Sequence, residues 1–267
     1  VLALSLYRAA TPLATALLPL ARPFHAKLAE GLAGRRRLAD RLAAAAPDLQ
    51  GCLWLHASSV GEFLQGTPLI DAIRAELGDQ APPIAVTHFS PSGREFARKR
   101  PCADHHDYLP LDTPAAMDRL VRLWRPRLLV YVKFDVWPNL VLAAERAGVP
   151  QVLVAGSLAP GSGRLREPVR SLYRDVFDRL DHLGVSTEED RRRFVDRLGV
   201  RTPVTVTGDT RIEQVIVRFE QSAGGGVSER LRALGGRLLV LGSTWPPDER
   251  LWLPVLPDLC AEYGDLR

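Results

Sequence analysis

The segment CLWLHASSVGE, residues 52–62, joins an apolar run to a turn of small residues and an acid. The run Cys52–Ala57 predicts a buried strand, and Glu62 stands just before a helix predicted over Gln65–Leu77. In open α/β sheets, ligands bind beyond the carboxyl ends of the strands, where helix N-termini expose free N–H groups. Glu62 is therefore either an acid that meets a substrate or a first-turn acid that complements the helix dipole.

The rest of the chain alternates short apolar runs with helical patterns. Further strands are predicted at Ile84–Phe89, Asp107–Leu109, Arg127–Val132, Gln151–Ala155, His182–Val185 and Val204–Thr207. Helices are predicted at Arg94–Lys99, Pro114–Trp124, Asn139–Ala147, Glu167–Arg179, Glu188–Leu198 and Arg211–Glu220. This alternation predicts an α/β fold with a parallel sheet and helices on both faces.

Three segments are expected along the 267 residues. Residues 1–49 form an apolar and basic helical leader, and residues 50–222 a Rossmann-like domain. The glycine run 224–226 predicts a linker, after which residues 227–267 begin a second domain with a strand at Arg237–Leu241 and a helix to about Tyr263. One strand and two helices cannot bury a core of their own. We therefore expect the chain to be a fragment of a longer protein.

The composition is that of a soluble globular protein, with 46% hydrophobic and 25% charged residues and a net charge of +4. The three cysteines and six histidines show no metal-ligand spacing, so no metal site is expected. His105 and His106 are adjacent and are predicted to lie on an exposed loop. Aromatic residues are not interleaved with the basic clusters, so the sequence does not support nucleic-acid binding.

The leader begins with the apolar stretch Val1–Leu20, which contains Arg8 and two prolines. It is therefore a poor candidate for a helix that spans a bilayer. A basic cluster follows between Arg22 and Arg41. This order is typical of a segment that lies on an anionic membrane surface. The alternative is an amphipathic helix that packs on the domain and keeps its basic face in water.

Polar turns follow several of the other predicted strands. After the second strand, Ser90 or Ser92 can cap the next helix, Gly93 lets the backbone approach a ligand, and Arg94 supplies positive charge. The turn is either an anion cradle or an ordinary capped helix start.

Charged residues also leave the fourth and seventh predicted strands. Lys133 and Asp135 are two positions apart and are predicted to face one side, where they either neutralise each other or meet a polar substrate. Arg211 is a candidate phosphate or carboxylate contact. The turn Gly242-Ser243-Thr244 repeats the arrangement in the second domain.

Together these turns resemble the Kdo (3-deoxy-D-manno-octulosonic acid) transferases of lipopolysaccharide assembly. The segment WLHASSVGE at 54–62 matches that family's Trp-x-His-Ala-x-Ser-x-Gly-Glu start. The segments SPSG at 90–93, LPLD at 109–112 and WPN at 137–139 match three further family motifs in the same order and spacing. The resemblance extends over the whole chain, including the apolar leader.

The resemblance implies a two-domain GT-B glycosyltransferase on the cytoplasmic face of the bacterial inner membrane. Such enzymes move Kdo from CMP-Kdo to a lipid A precursor with inversion at the sugar, without a required metal or other cofactor. Glu62 matches the family's general base. We place the acceptor site at Ser58, Ser59, Gly61, Ser90, Ser92, Gly93, Arg94, Lys133 and Asp135, and the donor site at Arg211, Gly242, Ser243 and Thr244.

The chain also departs from the family pattern. Lys133 stands where most members have a glutamate, and Trp245 where most have a histidine. The chain ends before the family's Pro-Arg-His and Gly-Gly-x-x-Glu-Pro motifs, so we expect no useful rate of sugar transfer from it alone. Two alternatives stay open: another GT-B nucleotide-sugar transferase or epimerase, and a non-catalytic module that binds anionic lipid.

Overall fold

The computed structural model describes residues 2–100, 102–222 and 226–266, which form two compact units, Val1–Gln214 and Val215–Arg267. The strands are β1 (Leu53–His56), β2 (Ile84–His88), β3 (His105–Tyr108), β4 (Leu128–Val132), β5 (Gln151–Gly156), β6 (His182–Val185) and β7 (Val204–Val206). The helices of the first unit begin with α1 (Leu2–Leu17), α2 (Ala26–Gly34), α3 (Leu38–Ala45), α4 (Val60–Leu77), α5 (Pro91–Arg98) and α6 (Pro114–Trp124). They continue with α7 (Pro138–Arg146), α8 (Val169–Phe177), α9 (Glu188–Arg192), which extends as a π-helix over Arg193–Leu198, and α10 (Thr210–Ser222), within which the boundary between the units falls.

The seven strands form one parallel sheet in the order β3-β2-β1-β4-β5-β6-β7. The strand order reverses between β1 and β4, which lie side by side although two strands and three helices separate them in sequence. In doubly wound sheets, the crevice at this switch point is where ligands bind. The turns that follow β1 and β4 therefore flank the expected ligand crevice.

Apolar residues cover both faces of the sheet, as a parallel sheet requires. Successive side chains of a strand point to opposite faces, so Trp54 and Leu129 belong to one buried cluster while Leu55 and Val130 belong to the other. This explains why the strands read as continuous apolar runs in the sequence, and the predicted strand positions agree closely with the observed ones.

The prediction that His105 and His106 lie on an exposed loop is wrong. Both residues belong to β3 and pair with Ala85 and Val86 of β2. Their rings are half-buried, because His106 packs edge-on against Phe63 with ring centroids 5.6 Å apart. Two adjacent polar residues carry no apolar signal, so their place in an edge strand is set by these tertiary contacts.

The leader is helical, and α1 packs against α7 and α8 of the Rossmann-like sheet unit. Leu4 is buried, and the Tyr7 hydroxyl donates to Asp112 Oδ2 at 3.0 Å. Large apolar side chains on the remaining surface of α1 and just after it are exposed: Leu2, Leu6, Leu13, Leu17, Leu20 and Phe24. Among the residues that the structure describes, no helix has the length and apolar character needed to cross a bilayer.

The second unit contains α11 (Gly226–Leu234), α12 (Pro246–Trp252) and α13 (Leu256–Glu262). The strand predicted at Arg237–Leu241 is wrong, because this segment makes only a single bridge, between Arg237 and Leu266. A strand needs neighbouring strands to pair with, and the described part of this unit offers none. Of the predicted linker, residues 224 and 225 lie outside the described residues. The division into a leader and two domains stays a prediction.

Candidate active site

Glu62 lies in the first turn of α4, which begins at Val60 and not at Gln65 as predicted. Ser59 precedes the helix, and its backbone N–H and its hydroxyl both donate to Glu62 Oε2, at 2.7 and 2.6 Å. The spacing is that of a capping box, which fixes the carboxylate against the helix start. Because Glu62 is only 6% exposed, the fold sets the position of its carboxylate.

The second oxygen of Glu62, Oε1, accepts no hydrogen bond from any described residue, and it is not one of the enclosed atoms without a partner. At least part of Oε1 is therefore accessible to solvent. Burial raises the pKa of Glu62, hydrogen bonds from Ser59 oppose the rise, and the carboxylate of Asp135 adds to it. A carboxylate with one fixed oxygen, one open oxygen and a raised pKa is suited to accept a proton.

Lys133 and Asp135 lie on the turn after β4, which ends at Val132. The expectation that they face one side rested on strand alternation, which does not extend into this turn, because Lys133 has φ +72°. Asp135 pairs with Arg164 at 3.5 Å, and no ion pair joins it to Lys133 in the described chain. Both charges still act on the pKa of Glu62 across the switch point.

The turn after β2 joins directly to the turn after β1. Ser58 O accepts from the N–H groups of Phe89 and Ser90, at 3.1 and 2.8 Å. At Gly93, a Cβ atom would lie 3.2 Å from the carbonyl carbon of Ser59, so a larger residue would push the two turns apart.

Hydroxyl groups line this junction. Ser90 Oγ accepts from Gly93 N–H at 3.0 Å and caps α5, and Ser92 Oγ lies 3.3 Å from Ser90 Oγ. Gly61 lies beside them in the first turn of α4, where an added Cβ would meet only Ser59 Oγ, at 3.9 Å. The fold thus brings most of the predicted acceptor residues of the first two turns together.

Arg94 is less available than an anion cradle requires. Its Nε donates to Asp107 Oδ1 at 3.1 Å, so a buried carboxylate already balances its charge. The same carboxylate accepts two hydrogen bonds from Arg41, at 2.7 and 2.9 Å. The role of Arg94 toward a ligand stays a prediction.

His56, which sequence reasoning did not single out, ties the end of β1 to the turn before α7. Trp137 Nε1 donates to His56 Nε2 at 2.9 Å, which makes Nε2 an acceptor and places the ring proton on Nδ1, 3.0 Å from Thr87 Oγ1. Burial lowers the pKa of His56 to about 3, so the ring is neutral. A histidine that closes a buried apolar strand needs such partners, and this is the signal that could have marked it.

The predicted donor residue Arg211 follows β7 in the first unit. Its Nε donates to Asp209 Oδ2 at 2.8 Å, and this guanidinium lowers the pKa of Asp209 to about 2. Asp209 Oδ1 also accepts from Gln65 Nε2 of α4 at 3.2 Å. The turn after β7 is thus hydrogen-bonded to α4, the helix that carries Glu62. Arg211 already has a counter-charge in Asp209.

The predicted donor turn Gly242-Ser243-Thr244 lies in the second unit, before α12. Ser243 has φ +55°, and Thr244 Oγ1 donates to Glu249 Oε1 at 3.1 Å. In the parts of the chain that the structure describes, no three His, Cys, Asp or Glu side chains are grouped as metal ligands.

A sequence model of the family described as "3-Deoxy-D-manno-octulosonic-acid transferase (kdotransferase)" matches residues 34–214. The chain belongs to the Kdo transferase family. Among curated relatives, the 3-deoxy-D-manno-octulosonic acid transferase of Chlamydophila psittaci is 31% identical over 210 residues, which cover 77% of this chain and 48% of the relative. The transferase of the same description from Haemophilus influenzae is 24% identical over 225 residues, 82% of this chain and 48% of the relative.

This member of the Kdo transferase family, a family of glycosyltransferases, also has relatives in fold. The UDP-GlcNAc 2-epimerase from Neisseria meningitidis bound to UDP-GlcNAc superposes with a TM-score of 0.57 at 13% identity, covering 80% of this chain and 63% of that one. A UDP-N-acetylglucosamine 2-epimerase superposes with a TM-score of 0.58 at 14% identity, covering 82% and 60%. At this identity the likeness shows the fold alone, and it confirms the predicted α/β, GT-B-type class.

Proposed function

We propose that the full-length protein transfers Kdo from CMP-Kdo to a lipid A precursor, with Glu62 as general base. The observation that carries the proposal is the Glu62 carboxylate at the β1–β4 switch point, with Oε2 held by Ser59 and Oε1 open. Membership of the Kdo transferase family supports the sugar and the reaction type.

The chemistry assigned to Glu62 is proton removal from the attacking alcohol. An acceptor hydroxyl attacks the anomeric carbon of Kdo, its proton passes to Glu62 Oε1, and the bond from that carbon to the CMP phosphate oxygen breaks. CMP leaves with the bonding electrons, and attack from the opposite side inverts the sugar. Burial raises the pKa of Glu62, which strengthens the carboxylate as a base, while Ser59 and Lys133 favour its ionised form.

The acceptor's phosphates need positive charge, for which Lys133 is the stronger of the two candidates. No carboxylate of the described residues pairs with Lys133, and its ammonium lies 5.1 Å from the centroid of the Phe134 ring at the switch point. Arg94 shares Asp107 and would bind a phosphate only in competition with it. The hydroxyls of Ser58, Ser59, Ser90 and Ser92 and the small residues Gly61 and Gly93 complete the proposed acceptor site.

The chain spans about half the length of the curated relatives it matches, 48% for two of them. We place donor contacts at Arg211 and at Gly242, Ser243 and Thr244, and no metal or other cofactor is proposed. We also propose that the 267-residue chain alone transfers no sugar at a useful rate. Measurable transfer from CMP-Kdo by this chain would contradict that statement.

The leader is proposed to hold the protein on the cytoplasmic face of the inner membrane. The exposed leucines of α1 would enter the headgroup region, and nearby basic residues would meet anionic lipid. Arg35 and Arg41 contribute less to this surface, because both are only partly exposed and donate hydrogen bonds within the fold. Lys27, Arg36 and Arg37 remain exposed, apart from the surface ion pair of Arg37 with Asp40.

The test is Glu62→Gln in the full-length protein, with Glu76→Gln as the matched control. Glu76 lies on the same helix and is exposed, so its substitution should change neither turnover nor stability. Glutamine keeps the size of the side chain but cannot take a proton, so Kdo transfer should fall about 10²- to 10⁴-fold with acceptor binding retained.

The same experiment separates the proposal from a non-catalytic lipid-binding module. Such a module predicts that Glu62→Gln changes neither acceptor binding nor any turnover. Full turnover in the Glu62→Gln variant would overturn the proposed role of Glu62.

A further inference from the structure

A cavity of about 600 Å³ lies beneath α1 in the first unit. Its walls are mainly apolar and come from α1 (Pro12, Ala16), α3 (Leu38, Leu42) and α6 (Leu120, Leu123). Its volume lies within the range of about 300–1,000 Å³ that small-ligand sites occupy. None of the residues assigned to catalysis above lines this cavity.

A smaller cavity of about 140 Å³ continues it toward the candidate active site. The two cavities share Thr15 and Leu111, and the smaller one is also lined by Phe89 and Trp137. The rings of Phe89 and Trp137 are stacked with centroids 4.5 Å apart. Because Trp137 also donates to His56 at the end of β1, the wall of the smaller cavity reaches the residues of the switch point.

Two arginines line the larger cavity, Arg35 and Arg119. Arg35 lies between the rings of Phe89 and Tyr108, at 4.6 and 4.7 Å from their centroids, and donates to the backbone carbonyl oxygens of Gly31, Phe89 and Leu109. Burial lowers the pKa of Arg35 to about 10.

No carboxylate of the described residues forms an ion pair with Arg35 or Arg119. Arg35 is partly buried, and its charge is offset by carbonyl oxygens, two aromatic rings and the more distant Asp107, whereas Arg119 is exposed. Since neither guanidinium pairs with a carboxylate, both can donate charge-assisted hydrogen bonds to an anionic ligand. The cavity therefore combines a long apolar wall with two arginines that pair with no carboxylate of the described residues.

We propose that this cavity binds one acyl chain of the anionic lipid acceptor, with a lipid phosphate at Arg35 and Arg119. The identity of that lipid as the acceptor rests on the proposed function. Apolar walls match the chain, the two guanidinium groups match the phosphate, and the smaller cavity adjoins the larger one on the side of Phe89 and Trp137. An apolar protein segment would fill the walls but would offer the two arginines no anionic partner.

The proposal is tested by titrating the 267-residue chain with alkyl phosphates of 8 to 14 carbons, below their micelle concentrations, by calorimetry. We expect one site, with affinity rising about fourfold for each added methylene until the cavity is full and then levelling off. Dodecyl maltoside, which has the same chain and no charge, should bind at least tenfold more weakly than dodecyl phosphate.

Filling variants locate the site. Ala39→Trp places a large side chain in the cavity from α3 and should weaken dodecyl phosphate at least tenfold, whereas Ala44→Trp, on the same helix but outside the cavity, should not. Ala16→Phe fills the cavity from α1, so the result does not depend on the folding of a single variant. Arg119→Gln should weaken dodecyl phosphate several-fold and leave dodecyl maltoside unchanged.

Three results would overturn the proposal: wild-type affinity in both filling variants, affinity that rises with chain length without levelling, or equal binding of the two dodecyl probes. The second would indicate adsorption on the exposed leucines. The Glu62→Gln variant should bind dodecyl phosphate as the wild type does. If Ala39→Trp loses binding of dodecyl phosphate and Glu62→Gln transfers Kdo normally, the catalytic proposal is wrong and the cavity proposal stands. If Ala39→Trp binds normally and Glu62→Gln transfers almost no Kdo, only the cavity proposal is wrong.

Discussion

Glu62 after β1 and Asp112 after β3 are both buried acids that follow strands of the first unit, and the fold uses them differently. Asp112 Oδ1 accepts from Leu140 N–H at 3.1 Å, and its Oδ2 accepts from Asn139 N–H and the Tyr7 hydroxyl, both at 3.0 Å. Asp112 thus caps α7 and anchors α1 with both oxygens. In Glu62, only Oε2 accepts hydrogen bonds within the fold, so Oε1 is left to accept a proton in the proposed reaction.

This difference shows how the two acids can be told apart. Burial raises the pKa of both, that of Asp112 to about 6, so a shifted pKa alone does not identify the base. Both acids also end segments that resemble motifs of the Kdo transferases, WLHASSVGE and LPLD. Under the proposed function, the number of carboxylate oxygens already bound within the fold distinguishes Glu62, the proposed base, from Asp112.

The largest expected effect is on turnover. In the full-length protein, Glu62→Gln should lower kcat by about 10²- to 10⁴-fold, because no group then takes the acceptor's proton. Asp112→Asn should lower kcat less than tenfold, since the described partners of the Asp112 carboxylate are Tyr7, Asn139 and Leu140 and not Glu62 or the serines proposed beside it. Steady-state kinetics measures kcat of both variants. Equal losses of kcat in the two would contradict the distinction between Glu62 and Asp112.

Stability should show the opposite order. Asp112→Ala leaves two backbone N–H groups at the start of α7 and the Tyr7 hydroxyl without an acceptor, so the free energy of unfolding should fall by about 3 kcal/mol. Glu62→Gln retains an oxygen at the helix cap and should cost less than about 1 kcal/mol. Urea titration of the 267-residue chain compares them, and a larger loss for Glu62→Gln would reverse our assignment.

Low pH should destabilise the fold through its buried histidines and not through Glu62 or Asp112. Burial lowers the pKa of His56 and of His88 to about 3 and that of His106 to about 4, below the ordinary value of 6.5. The unfolded chain therefore binds more protons, so this stability is complete above pH 6.5 and is lost as the pH falls toward 3. We expect a loss of at least about 2 kcal/mol by urea titration at pH 4.5 relative to pH 7.5. Unchanged stability would contradict the burial of these rings.

The smallest expected effect concerns the membrane. Removal of residues 1–20 is not a clean test, because Leu4 is buried and Tyr7 is bound to Asp112. The double variant Leu6→Glu, Leu13→Glu changes only exposed positions and should weaken association with anionic vesicles about tenfold. Leu77→Glu, at an exposed leucine of α4, is the matched control, and equal binding of all three proteins in a sedimentation assay would remove the proposed membrane face.

Much of the first unit could be predicted from the sequence, because its strands are buried on both faces and read as apolar runs. The position of Glu62 beyond β1 followed from the same pattern. The segment Arg237–Leu241 has that pattern too, but it forms no strand, since pairing depends on neighbours that sequence periodicity does not supply.

The features that sequence reasoning missed depend on contacts between distant residues. Tyr7 and Asp112 are 105 positions apart, and Trp137 and His56 are 81 positions apart. The left-handed backbone of Lys133 likewise has no local signal, because lysine rarely adopts it. The pairing of carboxylate oxygens and cations therefore depends on the folded chain and could not be predicted from the sequence.

The most direct test of the central claim is the pH dependence of kcat/KM for Kdo transfer by the full-length protein and by its Glu62→Gln variant. We predict that the wild-type rate falls in acid with an apparent pKa above 4.5, the ordinary value for glutamate, because protonation occupies the open oxygen. The residual activity of Glu62→Gln should lack this acid limb. The same acid limb and the same turnover in the variant would show that Glu62 is not the base.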